Sequence, residues 1–187
     1  MKKTYEKCFS LLLLVSRLRE AITQTFINHD KPGKDILFFR MTAQLFINSW
    51  FQYIEQCVSR TIIKFMKNLD KLYAQLEDSE STLIYGNLEE LKHEFCKAVH
   101  ELDNCLFFGS FKIMDALHAQ SQLILNVFEC EIYSSLVNEI KAYEVGRYHL
   151  ALCLNESQPG WSFKNMLDCN FYALLTTAPA GGAPLDC

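Results

Sequence analysis

Four side chains in the middle of the chain have the chemistry of metal ligands. His93, Cys96 and His100 are spaced at i, i+3 and i+7, so a helix would carry them on one face, and Cys105 lies just beyond. Imidazole and thiolate are the ligands that zinc prefers, and four of them can complete a tetrahedral site. A single helix rarely supplies a whole site, however, and an Asp-Asn helix end precedes Cys105. The simpler interpretation is a partly exposed helix flank with one packed cysteine, and we expect no metal or other cofactor.

Motifs of the common enzyme classes are absent from the sequence. It contains no phosphate-binding GxxxxGK[ST], no GxGxxG and no GxSxG. The acidic residues are spread along polar faces, so no general acid–base pair stands out. The net charge of −4 provides no basic patch for DNA or RNA. We therefore expect a protein that is not an enzyme and does not bind nucleic acid.

The cysteines allow two interpretations. A disulfide scaffold of a secreted protein and a reduced intracellular protein can both contain eight. The spacing is wide, there is no Cys-x-x-Cys, and most of the cysteines fall within helical patterns, so we favour the reduced interpretation. The eight lie at positions 8, 57, 96, 105, 130, 153, 169 and 187.

The N-terminal segment bears on the same choice. Lys2 and Lys3 precede the apolar run at residues 9–15, as in a secretory signal. The run has the minimum length, charged residues follow it at once, and no small-residue cleavage site lies close behind. A first amphipathic helix is the better interpretation. The alternative that stays open is a secreted helical cytokine with residues 1 to about 20 removed and several cysteines paired.

Hydrophobic spacing predicts helices along the chain. Residues 107–128 contain only two full charges, Lys112 and Asp115, so we expect a central helix that is apolar on most of its circumference. Gly109 and Ser110 form its entry turn and cap. The other predicted helices cover residues 4–23, a run from Asp35 that is continuous or kinked near Ser59 and reaches Leu76, residues 87–102, residues 131–154, and a short last helix from Trp161 after a stop at Pro159-Gly160. In the first, the residues predicted to face inward are Tyr5, Phe9, Leu12, Val15 and Leu18. In the run from Asp35 they are Phe39, Ala43, Phe46, Trp50, Tyr53 and Cys57, continuing into Ile62, Phe65, Leu69, Leu72 and Leu76. In the helices at 87–102 and 131–154 they are Leu88, Leu91, Phe95, Val99 and Leu102, and Leu136, Ile140, Tyr143 and Leu150. The fold class is therefore all-α, a single helical bundle of seven or so helices around a buried central hydrophobic helix. Residues 1–170 form the bundle and residues 171–187 a C-terminal tail.

Apolar residues exceed what a monomer of this size would cover. Leu37, Phe38, Leu45, Phe51 and Ile54 lie outside the main inward stripe of the second helix. Exposed apolar surface is one way in which helical proteins hold the amphipathic helix of a partner.

Two stretches resemble the Bcl (B-cell lymphoma) family of apoptosis regulators. Phe95–Leu102, a short turn and Phe107–Ile113 resemble the first homology region, in which a helix end leads into Asn-Trp-Gly-Arg and the central helix. Gln158–Phe163 resembles the second, in which a helix ends in Gly-Gly-Trp and a short helix follows. Gly109 and Trp161 are 52 positions apart, a separation typical of the family. The resemblance covers roughly residues 60–168.

The chain also departs from the family pattern. Phe65–Leu72 is only faintly similar to the third homology region, since Leu69 stands where a small residue is usual. Ser110 replaces the arginine that would pair with an aspartate of the bound helix, and Lys112 is the nearest cationic substitute. Such divergence is similar to that of viral members. The family's C-terminal membrane anchor is absent, because Phe171–Leu175 is too short to span a bilayer.

The resemblance implies a function in cell death. A hydrophobic groove between the third, fourth and central predicted helices would bind amphipathic death-motif helices of pro-apoptotic family members, with an anti-apoptotic outcome. The implied location is intracellular and cytoplasmic, without a transmembrane anchor. The implied contact with a membrane is peripheral and occurs at the mitochondrial outer membrane. The implied partner-binding residues are Leu72 and Leu76 on one wall, Val99 and Leu102 on the other, Phe108 and Gly109 at the edge of the floor, and Glu101, Ser110 and Lys112 beside them.

Overall fold

The computed structural model describes residues 2–28, 34–77, 84–129, 133–155 and 158–169. Over these residues the chain is helical apart from short turns and has no strand, which confirms the all-α class. The described residues form six helices rather than seven. They are α1 (Lys2–Asn28), α2 (Lys34–Glu77), α3 (Ile84–Cys105), α4 (Phe111–Glu129), α5 (Tyr133–Leu154) and α6 (Gln158–Cys169). The predicted tail, residues 171–187, and most of the acidic turn that follows α2 lie outside the described residues.

The number of helices differs because α2 does not break near Ser59. It runs for 44 residues without interruption, and Ser59 lies exposed on its surface. Its two halves have different surroundings. The first half packs in the core, whereas no side chain between residues 58 and 74 is buried.

The first half of α2 is the centre of the bundle. Its predicted inward stripe is confirmed, since all six residues are buried: Phe39, Ala43, Phe46, Trp50, Tyr53 and Cys57. This helix contacts α1, α3, α5 and α6. Of the surplus apolar residues, Leu37 and Phe38 are exposed, and Ile54 is buried.

The inward face of α1 differs in part from the predicted one. Val15 and Leu18 are buried as predicted, but Phe9 and Leu12 are 52% and 41% exposed, and the side chain of Tyr5 lies outside the described residues. Leu11 and Ile22 complete the buried stripe. The run of four consecutive leucines at 11–14 is compatible with either face, so local spacing did not fix the orientation.

Helix α4 buries one face rather than most of its circumference. Its inward side includes Ile113, Leu117 and Ile124, while Phe111, Lys112 and Asp115 are exposed. Ser110 caps the helix as predicted, since its Oγ accepts a hydrogen bond from the Ile113 amide at 3.4 Å.

Helices α4 and α5 pack closely. The point of close approach is Gly146, where a Cβ would lie 2.6 Å from Gln120 Oε1 and 2.7 Å from Leu123 Cδ1. Of the predicted inward residues of α5, Ile140, Tyr143 and Leu150 are buried, and Leu136 is partly buried against the core.

Helix α6 begins earlier than predicted. Pro159 and Gly160 lie in its first turn instead of stopping the preceding helix, because a proline lacking its amide hydrogen is tolerated where that hydrogen has no helical partner. Phe163 and Leu167 are buried, and Trp161 is 60% exposed.

Candidate helix-binding surface

The second half of α2 and the whole of α3 run antiparallel as a two-helix arm, defined here as residues 58–77 and 84–105. Helix α3 packs mainly against α2. Among the arm side chains that the structure describes, at residues 58–74 and 88–105, none is buried. The arm therefore lacks a core of its own, unlike the rest of the bundle.

Polar contacts join the two helices along one edge of the arm. Lys64 forms an ion pair with Glu101, and the Asn68 amide donates a hydrogen bond to Glu94. Lys97 lies 3.5 Å from Glu94 on the same edge. The hydrogen bond from Asn68, followed by the charge of Lys97, lowers the pKa of the Glu94 carboxyl. Glu101, one of the predicted partner-binding residues, therefore forms its ion pair with a residue of the same chain.

Apolar residues form a stripe on each helix of the arm. They recur every three or four positions, as one face of a helix requires. In α2 the stripe consists of Ile62, Met66, Leu69 and Tyr73, and in α3 of Leu88, Leu91, Phe95, Val99 and Leu102. We call these nine residues the apolar face.

The two stripes lie on the same side of the arm. The residues by which the helices meet include Phe65 and Asn68 of α2 and Glu94 and Ala98 of α3. In each helix, the apolar stripe is rotated about the helix axis from these meeting residues by a little more than a quarter turn, in the direction in which the chain winds. Because the helices are antiparallel, these rotations bring both stripes to one side. The contact between the rings of Phe65 and Phe95, with centroids 5.8 Å apart, lies at this side.

The structure places the predicted groove residues of the two walls at different heights along the arm. Val99 and Leu102 lie on the apolar face near its base, where Leu102 packs against the core. Leu72 lies near the tip, beside Glu90 and His93. Leu76 is in the last turn of α2, and its side chain is outside the described residues.

The remaining predicted residues lie at the turn between α3 and α4. Phe108 is half-buried, and the Lys7 ammonium lies 5.3 Å from the centre of its ring. Gly109 is exposed, and a Cβ there would have only Asn104 Oδ1 within 4.0 Å. Ser110 is the cap of α4, and Lys112 is exposed in the first turn of that helix.

Sequence reasoning missed a strained residue in this turn. Phe107 has a φ of 63°, a left-handed conformation that non-glycine residues rarely adopt. Its ring is buried, stacks on Tyr53 and lies 6.2 Å from the ring of Phe163, centroid to centroid. The two stretches that carry the family resemblance therefore meet at the rings of Phe107 and Phe163. No pattern in the sequence signals the positive φ, since Gly109 would be the expected place for it.

Sequence reasoning also missed the exposure of the arm. Ile62 and Leu69 were read as a continuation of the core stripe of α2, yet Ile62 is 54% exposed. Phe111, in the first turn of α4, is 85% exposed and was not among the predicted contacts. These residues are apolar and regularly spaced, so spacing alone did not distinguish a core from an open face.

The metal and disulfide interpretations concern other side chains. His93, Cys96 and His100 are exposed on α3, and no group of three or more metal-binding side chains occurs among the described residues. The five cysteines whose side chains the structure describes are free thiols: Cys8, Cys57, Cys96, Cys105 and Cys153. Within the described ranges, no helix has the length and apolar character needed to cross a bilayer.

Comparison of the chain with protein-family models, with curated proteins and with solved structures gave no match in any of the three.

Proposed function

We propose that this protein is a non-enzymatic regulator of apoptosis that binds the amphipathic death-motif helix of a pro-apoptotic partner, with an anti-apoptotic outcome. The observation that carries the proposal is the apolar face, which is open along the arm and includes Val99 and Leu102 of the predicted set. Regularly spaced apolar side chains on two adjacent helices are the surface into which an amphipathic helix fits its own residues at i, i+3/4 and i+7.

The base of the apolar face is the place that suits such a helix best. There the Leu102 carbonyl accepts a hydrogen bond from the Leu106 amide of the turn that contains Gly109, and Phe111 follows this turn in the sequence. Gly109 lets a ligand backbone come close, because a Cβ there would meet only Asn104 Oδ1, at 4.0 Å. Phe111, which is 85% exposed, offers a ligand a further apolar contact.

The proximity of the two motif stretches supports the same proposal. Phe107 belongs to the stretch that resembles the first homology region and Phe163 to the stretch that resembles the second. Tyr53 contacts both rings, so one aromatic cluster fixes the position of the α3–α4 turn relative to α6. A binding site assembled from two distant segments needs such a rigid connection.

The proposed setting is the cytoplasm, with peripheral contact at the mitochondrial outer membrane. The alternative, a secreted cytokine, requires cysteine pairs. Counting free thiols in the denatured protein separates the two, since eight free thiols are expected for the proposed function and four or six paired cysteines for the cytokine.

The direct test is fluorescence-anisotropy titration of the full chain with a panel of death-motif helical peptides. We expect submicromolar binding to some of them, and loss of that binding in Gly109→Glu with the helical circular dichroism unchanged. Val145→Glu is the control, because it adds the same charge at an exposed apolar position on α5. Equal affinities for wild type and Gly109→Glu would contradict the assignment of the site.

A further inference from the structure

We infer that the outer part of the apolar face is covered by a second copy of this chain, so that two arms pair into an intermolecular four-helix bundle. The inference goes beyond the proposed function and does not depend on it. It follows from the dimensions of the face, from the lack of a core in the arm, and from one pair of opposite charges on its outer flanks.

The apolar face is wider than a single bound helix, which would leave part of both stripes exposed. Two adjacent helices are about 20 Å across, whereas one ligand helix is about 10 Å across. The stripes extend over about 16 Å in α2 and about 21 Å in α3 at 1.5 Å per residue. A second arm has the same width and length, so it covers both stripes at once.

The exposed area agrees with a dimer interface. Tyr73 and Leu88 are 66% and 62% exposed, Met66 is 51% exposed, and the remaining members of the face range from such values down to partly buried. Without Val99 and Leu102, which form its base, the other seven side chains expose on the order of 650 Å², somewhat below the roughly 800 Å² that each partner contributes to a standard interface. Helical hairpins are stable when a further layer covers their apolar side, and none of the described residues provides such a layer over the apolar face.

The two helices of the arm carry opposite charges. Residues 58–74 of α2 contain four basic residues and one acidic residue, a net charge of +3. Helix α3 contains two basic and five acidic residues, a net charge of −3 with histidine neutral. Most of these charges lie between the two helices or away from the apolar face, since Lys64 pairs with Glu101 and shares its surroundings with Arg60 and Lys67. Only charges on the outer flanks of the arm can therefore meet a second copy that covers the face. A two-fold symmetric pair places α2 of each copy on α3 of the other.

At each flank of this interface, we predict one ion pair between the two copies, formed by Asp70 of one and Lys92 of the other. Asp70 and Lys92 are both exposed, and they lie on the outer sides of α2 and α3. The antiparallel register that joins Asn68 to Glu94 puts residues 70 and 92 at the same height in the arm. With α2 of one copy on α3 of the other, Asp70 of the first lies next to Lys92 of the second, as flanking charges do in coiled coils.

The test is sedimentation equilibrium of the full chain, with the apolar face altered in one set of variants and the flanking charges in another. We expect a dimer whose dissociation constant rises by about tenfold or more in Leu88→Glu or Tyr73→Glu. Val145→Glu is the matched control because Val145 is 64% exposed on α5, and it should leave the dissociation constant unchanged.

The charge variants test the same interface without altering the apolar residues. Asp70→Lys and Lys92→Glu should each weaken the dimer, and the double variant should restore it. A wild-type protein that is monomeric at all concentrations would overturn the inference, and so would a dimer that Leu88→Glu and the charge variants leave unchanged. Peptide titrations of the same samples separate this result from the proposed function. A monomer that binds death-motif peptides overturns the dimer alone. A wild-type dimer overturns the proposed function alone when its monomeric Leu88→Glu variant also binds none of the peptides.

Discussion

The ring of Tyr53 in α2 stacks on the ring of Phe107 in the α3–α4 turn, with centroids 5.5 Å apart and planes inclined by 5°. The Tyr53 hydroxyl donates a hydrogen bond to the carbonyl of Cys105 at 2.8 Å. Phe107 keeps its left-handed backbone because both interactions hold the turn against α2. The turn therefore stores a small amount of strain, which the buried aromatic contacts offset.

Substitutions at Phe107 should show an unusual order of stability. Phe107→Ala removes the buried ring at a cost of about 3–5 kcal/mol. Phe107→Gly removes the same ring but relieves the left-handed strain, so it should be more stable than Phe107→Ala by about 1 kcal/mol. Urea unfolding measures both.

The control for this prediction is Phe163, which is also buried in the cluster but lies within α6. There glycine should be less stable than alanine by about 1 kcal/mol, as in an ordinary helix. The same order at both positions would contradict a strained Phe107.

The sequence was sufficient for the helical class and for the parts of the core where spacing is unambiguous. The stripe from Phe39 to Cys57 follows steps of four and three without exception, and every member is buried. A step of five leads from Cys57 to Ile62, after which the spacing of three and four resumes through Leu69, but there it runs along the open arm. Periodicity identifies an apolar face of a helix, and it contains no information about what covers that face.

The site was predicted less completely than the fold. Ser110 could be recognised as a cap because serine before an apolar run is a local signal. Whether Leu72 and Leu102 face each other across a groove could not be predicted, because this depends on the register of two antiparallel helices. The strain at Phe107 arises from contacts with residues over fifty positions away, and local sequence does not encode it.

A methyl group at Gly146 should destabilise the protein, although Gly→Ala within a helix ordinarily stabilises by about 1 kcal/mol. The added carbon would overlap the side chains of Gln120 and Leu123, and Gln120 is fully buried with its amide donating to the Tyr143 carbonyl at 3.4 Å. We expect Gly146→Ala to cost about 1–3 kcal/mol in thermal or urea unfolding.

Two comparisons check the cause of this loss. Gly146→Ala should cost less in a Gln120→Ala background, where one of the overlapping groups is absent. Gly109→Ala, at a glycine with open space above it, should change the free energy of unfolding little. Stabilisation by Gly146→Ala would show that α4 and α5 separate easily.

The stability of the fold should decrease at alkaline pH partly through Cys57. Burial raises the pKa of this thiol from 9.0 to about 11, with a smaller opposing effect from the hydrogen bond to Tyr53. Between these values the unfolded chain loses the Cys57 proton while the folded chain keeps it, so rising pH favours unfolding. The stabilisation is complete below pH 9 and decreases as the pH approaches 11.

The measurement is the free energy of unfolding against pH for wild type and for Cys57→Ala. The alanine variant should show a shallower decrease between pH 9 and 11, whatever its stability at neutral pH. Cys96→Ala, which removes an exposed thiol of α3, should keep the wild-type slope. Identical slopes in all three proteins would exclude a contribution from Cys57.

Replacing Ser110 by arginine should strengthen the binding of death-motif peptides. In the family that the sequence resembles, an arginine at this position pairs with an aspartate of the bound helix, and a hydrogen bond to a charged group contributes about 1.5–3 kcal/mol. We therefore expect the affinity to rise by about tenfold or more in Ser110→Arg. The free energy of unfolding should decrease by about 1 kcal/mol, because the substitution removes the cap of α4.

Ser110→Gln is the matched control, since it also removes the cap and adds a long side chain but carries no charge. It should lose the same stability as Ser110→Arg without the gain in affinity. A peptide with asparagine in place of the aspartate should bind Ser110→Arg no better than wild type. A gain that persists with this peptide would mean that the added cation acts through the general charge of the ligand, and that the ligand helix does not lie with its aspartate over the start of α4.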